Sequence, residues 1–158
     1  MRLTRWLNNM KILVDADSCP KPARELVLRR ADKLNIRIIF SANRLIPNEG
    51  VAEMEICDSS ANSADDRIVE LAEKGDIALT RDVPLAKRLV EKEAFVLDDR
   101  GRVFTKNNIN ELLSLRNFAV GLVDNGLEFV RTANYGKKDL KTFADSLDRL
   151  LTKMLKNA

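Results

Sequence analysis

The stretch Ile12–Pro22, with the sequence ILVDADSCPKP, decides the fold of this chain. Its first three residues are apolar and two of them are β-branched, which predicts a short buried strand. Asp15 and Asp17 follow at the end of this strand, and Pro20 and Pro22 favour the first turn of a helix. Ligands of α/β proteins bind at the carboxyl ends of strands, so the two carboxylates mark a candidate site. The structural alternative is that one carboxylate caps the helix and the other is solvated.

The rest of the chain alternates between strand and helix patterns, which favours an α/β fold, doubly wound, with a mostly parallel sheet flanked by helices. We expect a single domain over residues 1–158, in which residues 107–158 form a helical C-terminal appendage. The predicted strands are 12–14, 36–40, 51–57, 76–80 and 94–97, and 103–105 is predicted as a strand or a turn. The predicted helices are 23–34, 64–74, 85–92, 108–123 and 139–155. A loop is predicted over 127–136.

The composition is typical of one globular domain with a proper core, since 45% of the 158 residues are hydrophobic and 32% are charged. No apolar run is long enough to cross a membrane. Residues 1–9 lack the apolar core of a signal peptide, so we expect a short N-terminal extension and a cytoplasmic protein. The two cysteines, Cys19 and Cys57, make neither a disulfide framework nor a zinc cage.

Histidine is absent, which excludes Ser-His-Asp and Cys-His nucleophile pairs and His-ligated zinc. Chemistry must therefore come from carboxylates, Lys, Arg, hydroxyls, a thiol or a bound cation. Residues 1–99 carry 16 basic and 18 acidic side chains, whereas residues 100–158 carry 11 basic and 6 acidic ones. An acidic region beside a basic one suits a metal-binding enzyme that acts on a polyanion, although basic helices are also commonly plain solvated surface.

Acidic residues follow several of the predicted strands. Asp82 comes after strand 76–80, and Asp98 and Asp99 come after strand 94–97. If these strands are parallel to the first one, all of these carboxylates project from the edge of the sheet that carries Asp15 and Asp17.

The helix over 64–74 adds two more acidic residues. Asp65 shares a helix face with apolar residues and leans toward the core, whereas Asp66 is better placed for solvent. The structural alternative for Asp66 is a capping box with Ser63. The structural alternative for Asp82 is to cap the next helix. Several carboxylates from separate segments, without imidazole, are the ligands that Mg²⁺ or Mn²⁺ prefers. Such an ion would activate water and neutralise a phosphate.

The chain resembles the YaiI/YqxD family of bacterial proteins, which is similar to the PIN-like nuclease domains. The resemblance rests on motifs that run through nearly the whole chain from Met10: 14–20 (VDADSCP), 42–43 (AN), 64–68 (ADDRI), 75–82 (GDIALTRD), 84–86 (PLA), 100–101 (RG), 115–118 (LRNF) and 143–144 (FA).

PIN-like domains hold Mg²⁺ or Mn²⁺ with an acidic cluster for RNA cleavage, and the resemblance therefore implies a ribonuclease. It implies catalytic and metal-ligand roles for four matched residues, Asp15, Asp17, Asp65 and Asp82. At the position after the helix aspartate Asp65, where family members commonly have Asn, this chain has Asp66, which adds a charge and a candidate for a further ligand. We expect RNA as the partner, with the site lined or approached by Ser41, Asn43, Thr80, Arg100 and Arg116.

Other functions fit parts of the same sequence. Asp15-x-Asp17 after a buried strand resembles the first motif of haloacid-dehalogenase-like phosphatases, in which the first Asp attacks phosphorus and the second acts as an acid. Cys19 near a helix N-terminus could be a reactive thiol, although without a His partner a packed residue is the simpler interpretation. A third alternative is a non-catalytic module that binds nucleic acid through the basic C-terminal part.

Overall fold

The computed structural model describes residues 9–60, 62–126 and 134–157. The predicted extension over 1–9 and the predicted loop over 127–136 therefore lie largely outside the described residues. The strands are β1 (Lys11–Asp15), β2 (Arg37–Ala42), β3 (Glu53–Ile56), β4 (Ile77–Leu79), β5 (Phe95–Leu97) and β6 (Val103–Phe104), and the helices are α1 (Lys21–Leu34), α2 (Ser63–Leu71), α3 (Val83–Glu91), α4 (Ile109–Asp124) and α5 (Lys137–Lys156).

The six strands form one sheet in the order β3-β2-β1-β4-β5-β6. All neighbours are parallel except β6, which runs antiparallel to β5. The predicted doubly wound α/β fold is therefore confirmed, and the topology is consistent with a PIN-like domain. The chain builds outward from β1 to β3 and then returns to β4, so the strand order reverses between β1 and β4. Ligands bind outside the carboxyl ends of the strands at such a switch point.

Alternating side chains of the strands fill two separate cores, one on each face of the sheet. Ile12 and Val14 of β1 pack with α1 and α5, whereas Leu13 packs with α2, α3 and the start of α4. The period of two in a strand explains this division, and burial on both faces explains why β1 has no polar residue before Asp15 except Lys11. The result is a three-layer arrangement with the carboxyl edge of the sheet left open.

The C-terminal helical part predicted from residue 107 is present as α4 and α5. Helix α5 is an integral layer of the fold, since it contributes the buried Phe143 and Leu147 to the core beside α1. The turn before β6 lies directly against it: Gly101 has a φ of +89°, and the Ser146 hydroxyl donates to the Gly101 carbonyl across 2.6 Å. A side chain at 101 would place its Cβ 2.6 Å from the Thr142 carbonyl oxygen, so only glycine fits.

Helix α4, predicted over 108–123, buries only part of its apolar surface. Ile109 is the buried residue of α4, whereas Leu115 and Phe118 are 58% and 67% exposed. Nowhere within 9–60, 62–126 and 134–157 does a helix have the length and apolar character needed to cross a bilayer.

The predicted end of the second helix is wrong. Helix α2 ends at Leu71, not at residue 74, and Ala72 is already extended. The cause is the buried carboxylate of Asp76, which accepts the backbone N–H of Glu73 at 2.9 Å and the Lys11 ammonium at 2.7 Å. A turn over 73–76 satisfies that carboxylate, which a continued helix could not do.

Candidate active site

Asp15 is the central residue of the carboxyl edge and is only 9% exposed. Its Oδ2 atom accepts hydrogen bonds from the Thr80 hydroxyl at 3.0 Å and from the Ser18 hydroxyl at 3.2 Å. Thr80 follows β4, the neighbour of β1, and its hydroxyl oxygen accepts the backbone N–H of Asp82 at 3.0 Å. The two strand ends on either side of the switch point are thus joined through one hydroxyl.

The second oxygen of Asp15 points to the surface of the site. Both hydrogen bonds fall on Oδ2, and Oδ1 accepts none from the described residues. Every fully buried side-chain oxygen or nitrogen in that part of the chain has a hydrogen-bond partner. Oδ1 must therefore be in reach of solvent or a ligand.

Asp82 caps helix α3, as predicted. Its Oδ1 atom accepts the backbone N–H of Leu85 at 3.1 Å, which satisfies a donor at the helix start. This bond fixes the carboxylate beside Asp15 and engages one of its two oxygens. The structural and the functional interpretations of Asp82 are therefore compatible.

Asp65 completes what we call the acidic cluster, Asp15, Asp65 and Asp82. It lies in the first turn of α2, is partly buried, and accepts no hydrogen bond from a described residue. Burial, and next the negative charges of Asp15 and Asp82, raise the pKa of Asp65 to about 6. Burial likewise raises the pKa of Asp15, and Asp82 adds to the effect. Asp15 and Asp65 are thus harder to ionise than exposed aspartates, and the negative charge of Asp82 adds to the effect at both.

Asp17 lies at the same edge but is held by the loop after β2. Its Oδ2 atom accepts the backbone N–H of Asn43 at 2.8 Å, and the Arg44 Nε atom lies 3.7 Å from its Oδ1. The Asn43 amide, oriented with its nitrogen toward Asp17, donates to both oxygens at 3.2 and 3.3 Å. The structure therefore joins the predicted residues Asp17 and Asn43 to each other. A metal-ligand role for Asp17 stays a prediction.

Two other candidates are buried beside the site. Ser41 is 1% exposed, and its hydroxyl donates to the Ala64 carbonyl at 3.0 Å, which anchors the start of α2 and hence Asp65. Cys19 is also buried, and burial raises the pKa of its thiol to about 12. A thiolate is strongly disfavoured there, so the reactive-thiol alternative is not supported.

Asp66 is exposed and pairs with a residue of another helix. The predicted capping box with Ser63 is wrong, since Asn62 precedes α2 without a side-chain cap. The Asp66 carboxylate accepts a hydrogen bond from Arg88 of α3 at 2.9 Å instead. Ser63 is the first helical residue and not the cap that the box requires, and this shift of one residue removes the geometry of the box.

The remaining predicted residues lie around the turn over 98–101 and on α4. Asp99 is buried, and its Oδ2 atom accepts two hydrogen bonds from Arg81, at 2.7 and 2.9 Å. Asp98 accepts the backbone N–H of Arg100 at 2.9 Å and stabilises the turn. Arg116 is exposed on α4, and no hydrogen bond or ion pair between described residues links it to the acidic cluster.

Sequence reasoning gave no role to Ser18 or Arg44, although both contact site residues. Ser18 donates to Asp15 from three positions further along the chain, a spacing that a turn after the strand brings together. Arg44 approaches Asp17 from the loop after β2. Only the neighbouring positions of β1 and β2 in the sheet, which sequence alone does not give, bring Arg44 there.

The residue types of the acidic cluster fit a hard divalent cation, because carboxylate oxygens are its preferred ligands. In the parts of the chain that the structure describes, no three acidic or cysteine side chains lie close enough to hold one ion by themselves. Mg²⁺ is usually held by one or two carboxylates, with waters and substrate phosphate filling the other positions. The Oδ1 atom of Asp15, together with Asp65 or Asp82, therefore fits such a site.

Fold and site together define a doubly wound α/β protein with acidic side chains at the switch point of its sheet. Within that class, residues 13–153 match the family model described as "Uncharacterized BCR, YaiI/YqxD family", so the chain belongs to the YaiI/YqxD family. This confirms the resemblance seen in the sequence.

Curated relatives cover nearly the full length. A protein of Treponema denticola named "UPF0178 protein" is 46% identical over 147 residues, which are 93% of this chain and 95% of that relative. A protein of the same name from Myxococcus xanthus is 40% identical over 149 residues, 93% of this chain and 97% of the relative. No solved structure matches the chain. These names state no activity, and the PIN-like nature of the domain stays a prediction.

Proposed function

We propose that the protein is a PIN-like ribonuclease that uses Mg²⁺ or Mn²⁺ to hydrolyse RNA phosphodiesters at the carboxyl edge of its sheet. The observation that carries the proposal is the placement of Asp15 and Asp65 at the same edge as Asp82, where burial and the neighbouring charge of Asp82 raise the pKa of both carboxyls. Burying acidic groups beside a like charge costs stability, and a protein keeps them there where function requires it. A bound cation removes the repulsion.

The chain's own residues arrange the site in advance. Thr80 and Ser18 occupy Oδ2 of Asp15 and leave Oδ1 for a cation, while the helix cap holds Asp82 in place. Ser41 fixes the start of α2, which carries Asp65. When bound, a divalent cation supplies an activated water and neutralises charge on the phosphate.

RNA is proposed as the substrate because the family resembles PIN-like nucleases and because residues 100–158 are rich in basic side chains. Arg100 and Arg116 belong to this basic part and would position the phosphate backbone. Asn43 and Asp17 would shape the entrance to the site. The phosphatase alternative needs Asp17 as an acid, and the hydrogen bonds that Asp17 accepts from Asn43 do not favour it.

The test is cleavage of a fluorescein-labelled 20-nucleotide single-stranded RNA by the wild type, Asp15→Asn and the matched control Asp145→Asn. Asp145 is an exposed acid on α5 whose partner is Lys141. We expect cleavage in Mg²⁺ or Mn²⁺ that EDTA abolishes, a loss of about 100-fold or more in Asp15→Asn, and an unchanged rate in the control. Equal cleavage by wild type and Asp15→Asn would contradict the proposal, as would phosphate release from small monoesters without RNA cleavage.

A further inference from the structure

A groove of about 750 Å³ lies between helix α1 and the loop after β2. It adjoins the site, because Arg44 lines the groove and its Nε atom also lies 3.7 Å from the Asp17 carboxylate at the carboxyl edge. Its volume falls in the range of roughly 300 to 1,000 Å³ that is typical of sites for small organic ligands. A bound polymer that passes over the acidic cluster can therefore continue into this groove.

Cationic side chains outnumber acidic ones on the groove walls. Lys21, Arg24 and Arg29 project from α1 and Arg44 from the loop, against the acidic Glu25, Asp32 and Glu49. Helix α1 also begins without a side-chain cap and without an acidic residue in its first turn, so the positive end of its dipole adds to the same field.

Two of these arginines are available for an anion. Arg29 is exposed and has no hydrogen-bond or ion-pair partner among residues 9–60, 62–126 and 134–157. Arg24 donates one Nη1 hydrogen bond to the Cys19 carbonyl at 2.9 Å, which orients its guanidinium and leaves further N–H donors. Guanidinium groups are well suited to phosphate because their donors match two of its oxygens.

The groove also has an apolar part, formed by Leu28, Pro47 and Val51. No aromatic side chain lines it, so it provides no stacking platform that would select a base. Apolar surface beside arginines suits a nucleotide, whose sugar and base lie against the apolar part while its phosphate meets the cations.

We propose that this groove binds the single-stranded RNA segment next to the scissile phosphodiester, with Arg24 and Arg29 contacting its phosphates. The identity of the ligand rests on the proposed nuclease function, but the contact is tested by binding alone. Binding there is insensitive to base sequence, because the contacts are to phosphate and to apolar surface.

The experiment measures fluorescence anisotropy of a labelled 12-nucleotide single-stranded RNA in EDTA, over a series of salt concentrations, so that cleavage plays no part. The variants are Arg24→Ala and Arg29→Ala, and the control is Lys33→Ala, an exposed cation of α1 outside the groove. Each arginine variant should bind several-fold more weakly and reduce the slope of log K against log salt by about 0.7. Lys33→Ala should match the wild type in both.

The outcomes separate this proposal from the nuclease. If the wild type cleaves RNA but both arginine variants bind with wild-type affinity and salt slope, the groove proposal is overturned and the nuclease stands. If binding depends on both arginines but the wild type does not cleave in Mn²⁺, the groove is supported and the nuclease is contradicted. A wild type that does not bind the RNA overturns the groove proposal.

Discussion

The Thr80 hydroxyl donates to Oδ2 of Asp15 across 3.0 Å, although the two residues are 65 positions apart in the chain. They meet because β1 and β4 are adjacent and parallel, with Val14 opposite Leu79, so each strand delivers its next polar residue to the same edge. The same hydroxyl accepts the backbone N–H of Asp82. Thr80 therefore positions two members of the acidic cluster at once.

Replacing that hydroxyl tests its positioning role. In Thr80→Val, the Asp82 N–H and Oδ2 of Asp15 each lose a buried partner, so we expect the free energy of unfolding to fall by about 1 to 3 kcal/mol. Urea unfolding in EDTA measures it. Thr152→Val is the control, because its exposed hydroxyl bonds only within α5, and it should change stability by less than about 0.5 kcal/mol. Equal losses in the two variants would argue against a special role for Thr80.

Asp65→Asn should stabilise the protein without metal. The folded-state pKa of about 6 exceeds the ordinary value of 3.8, so the folded state binds this proton more tightly. The stability that this tighter proton binding contributes is present in full below the ordinary pKa of Asp65, and it is lost as the pH rises through the folded-state pKa. In EDTA, the melting temperature of Asp65→Asn should exceed that of the wild type at pH 8, and the gap should close near pH 4. An Asp145→Asn control should show no such pH dependence, and a gap that persists at pH 4 would contradict the assignment.

Gly101→Ala should be strongly destabilising. Alanine in the left-handed conformation of residue 101 costs about 1 to 2 kcal/mol. The substitution also forces a Cβ to 2.6 Å from the Thr142 carbonyl oxygen. Gly50→Ala is the matched control, because Gly50 has a φ of +76° with open space around its Cβ position. The difference between the two unfolding free energies isolates the contact with α5. If the two variants lose the same stability, α5 does not pack against this turn as described.

The buried ion pair of Lys11 and Asp76 lies at the amino ends of β1 and β4, whereas the acidic cluster lies at the carboxyl ends of the strands. Both residues are almost fully buried, and the Lys11 ammonium lies 2.7 Å from Asp76 Oδ2. Asp76→Asn leaves a buried ammonium without its counter-charge and should cost about 3 to 5 kcal/mol. Glu73→Gln removes the exposed second partner at 3.5 Å and should cost less than about 1 kcal/mol. Equal costs in chemical denaturation would contradict this account.

The sequence predicted those features that depend on local periodicity. The alternation of buried strands and amphipathic helices, and the position of Asp15 and Thr80 at strand ends, followed from residue patterns alone. Features that depend on contacts distant in the chain were missed: the early end of α2 is set by Asp76 and Lys11, and Asp66 pairs with Arg88 of another helix. The Asp17–Asn43 pair was likewise hidden, because only the sheet order makes those residues neighbours.

The most direct test of the central claim is calorimetric titration of Mn²⁺ into the wild type, Asp15→Asn and the Asp145→Asn control at pH 7. If Asp15 holds a cation together with Asp65 or Asp82, the wild type and the control should bind Mn²⁺ with the same affinity, and Asp15→Asn should bind at least about tenfold more weakly. Isotherms that do not differ between the wild type and Asp15→Asn, whether both show binding or neither does, would contradict the claim.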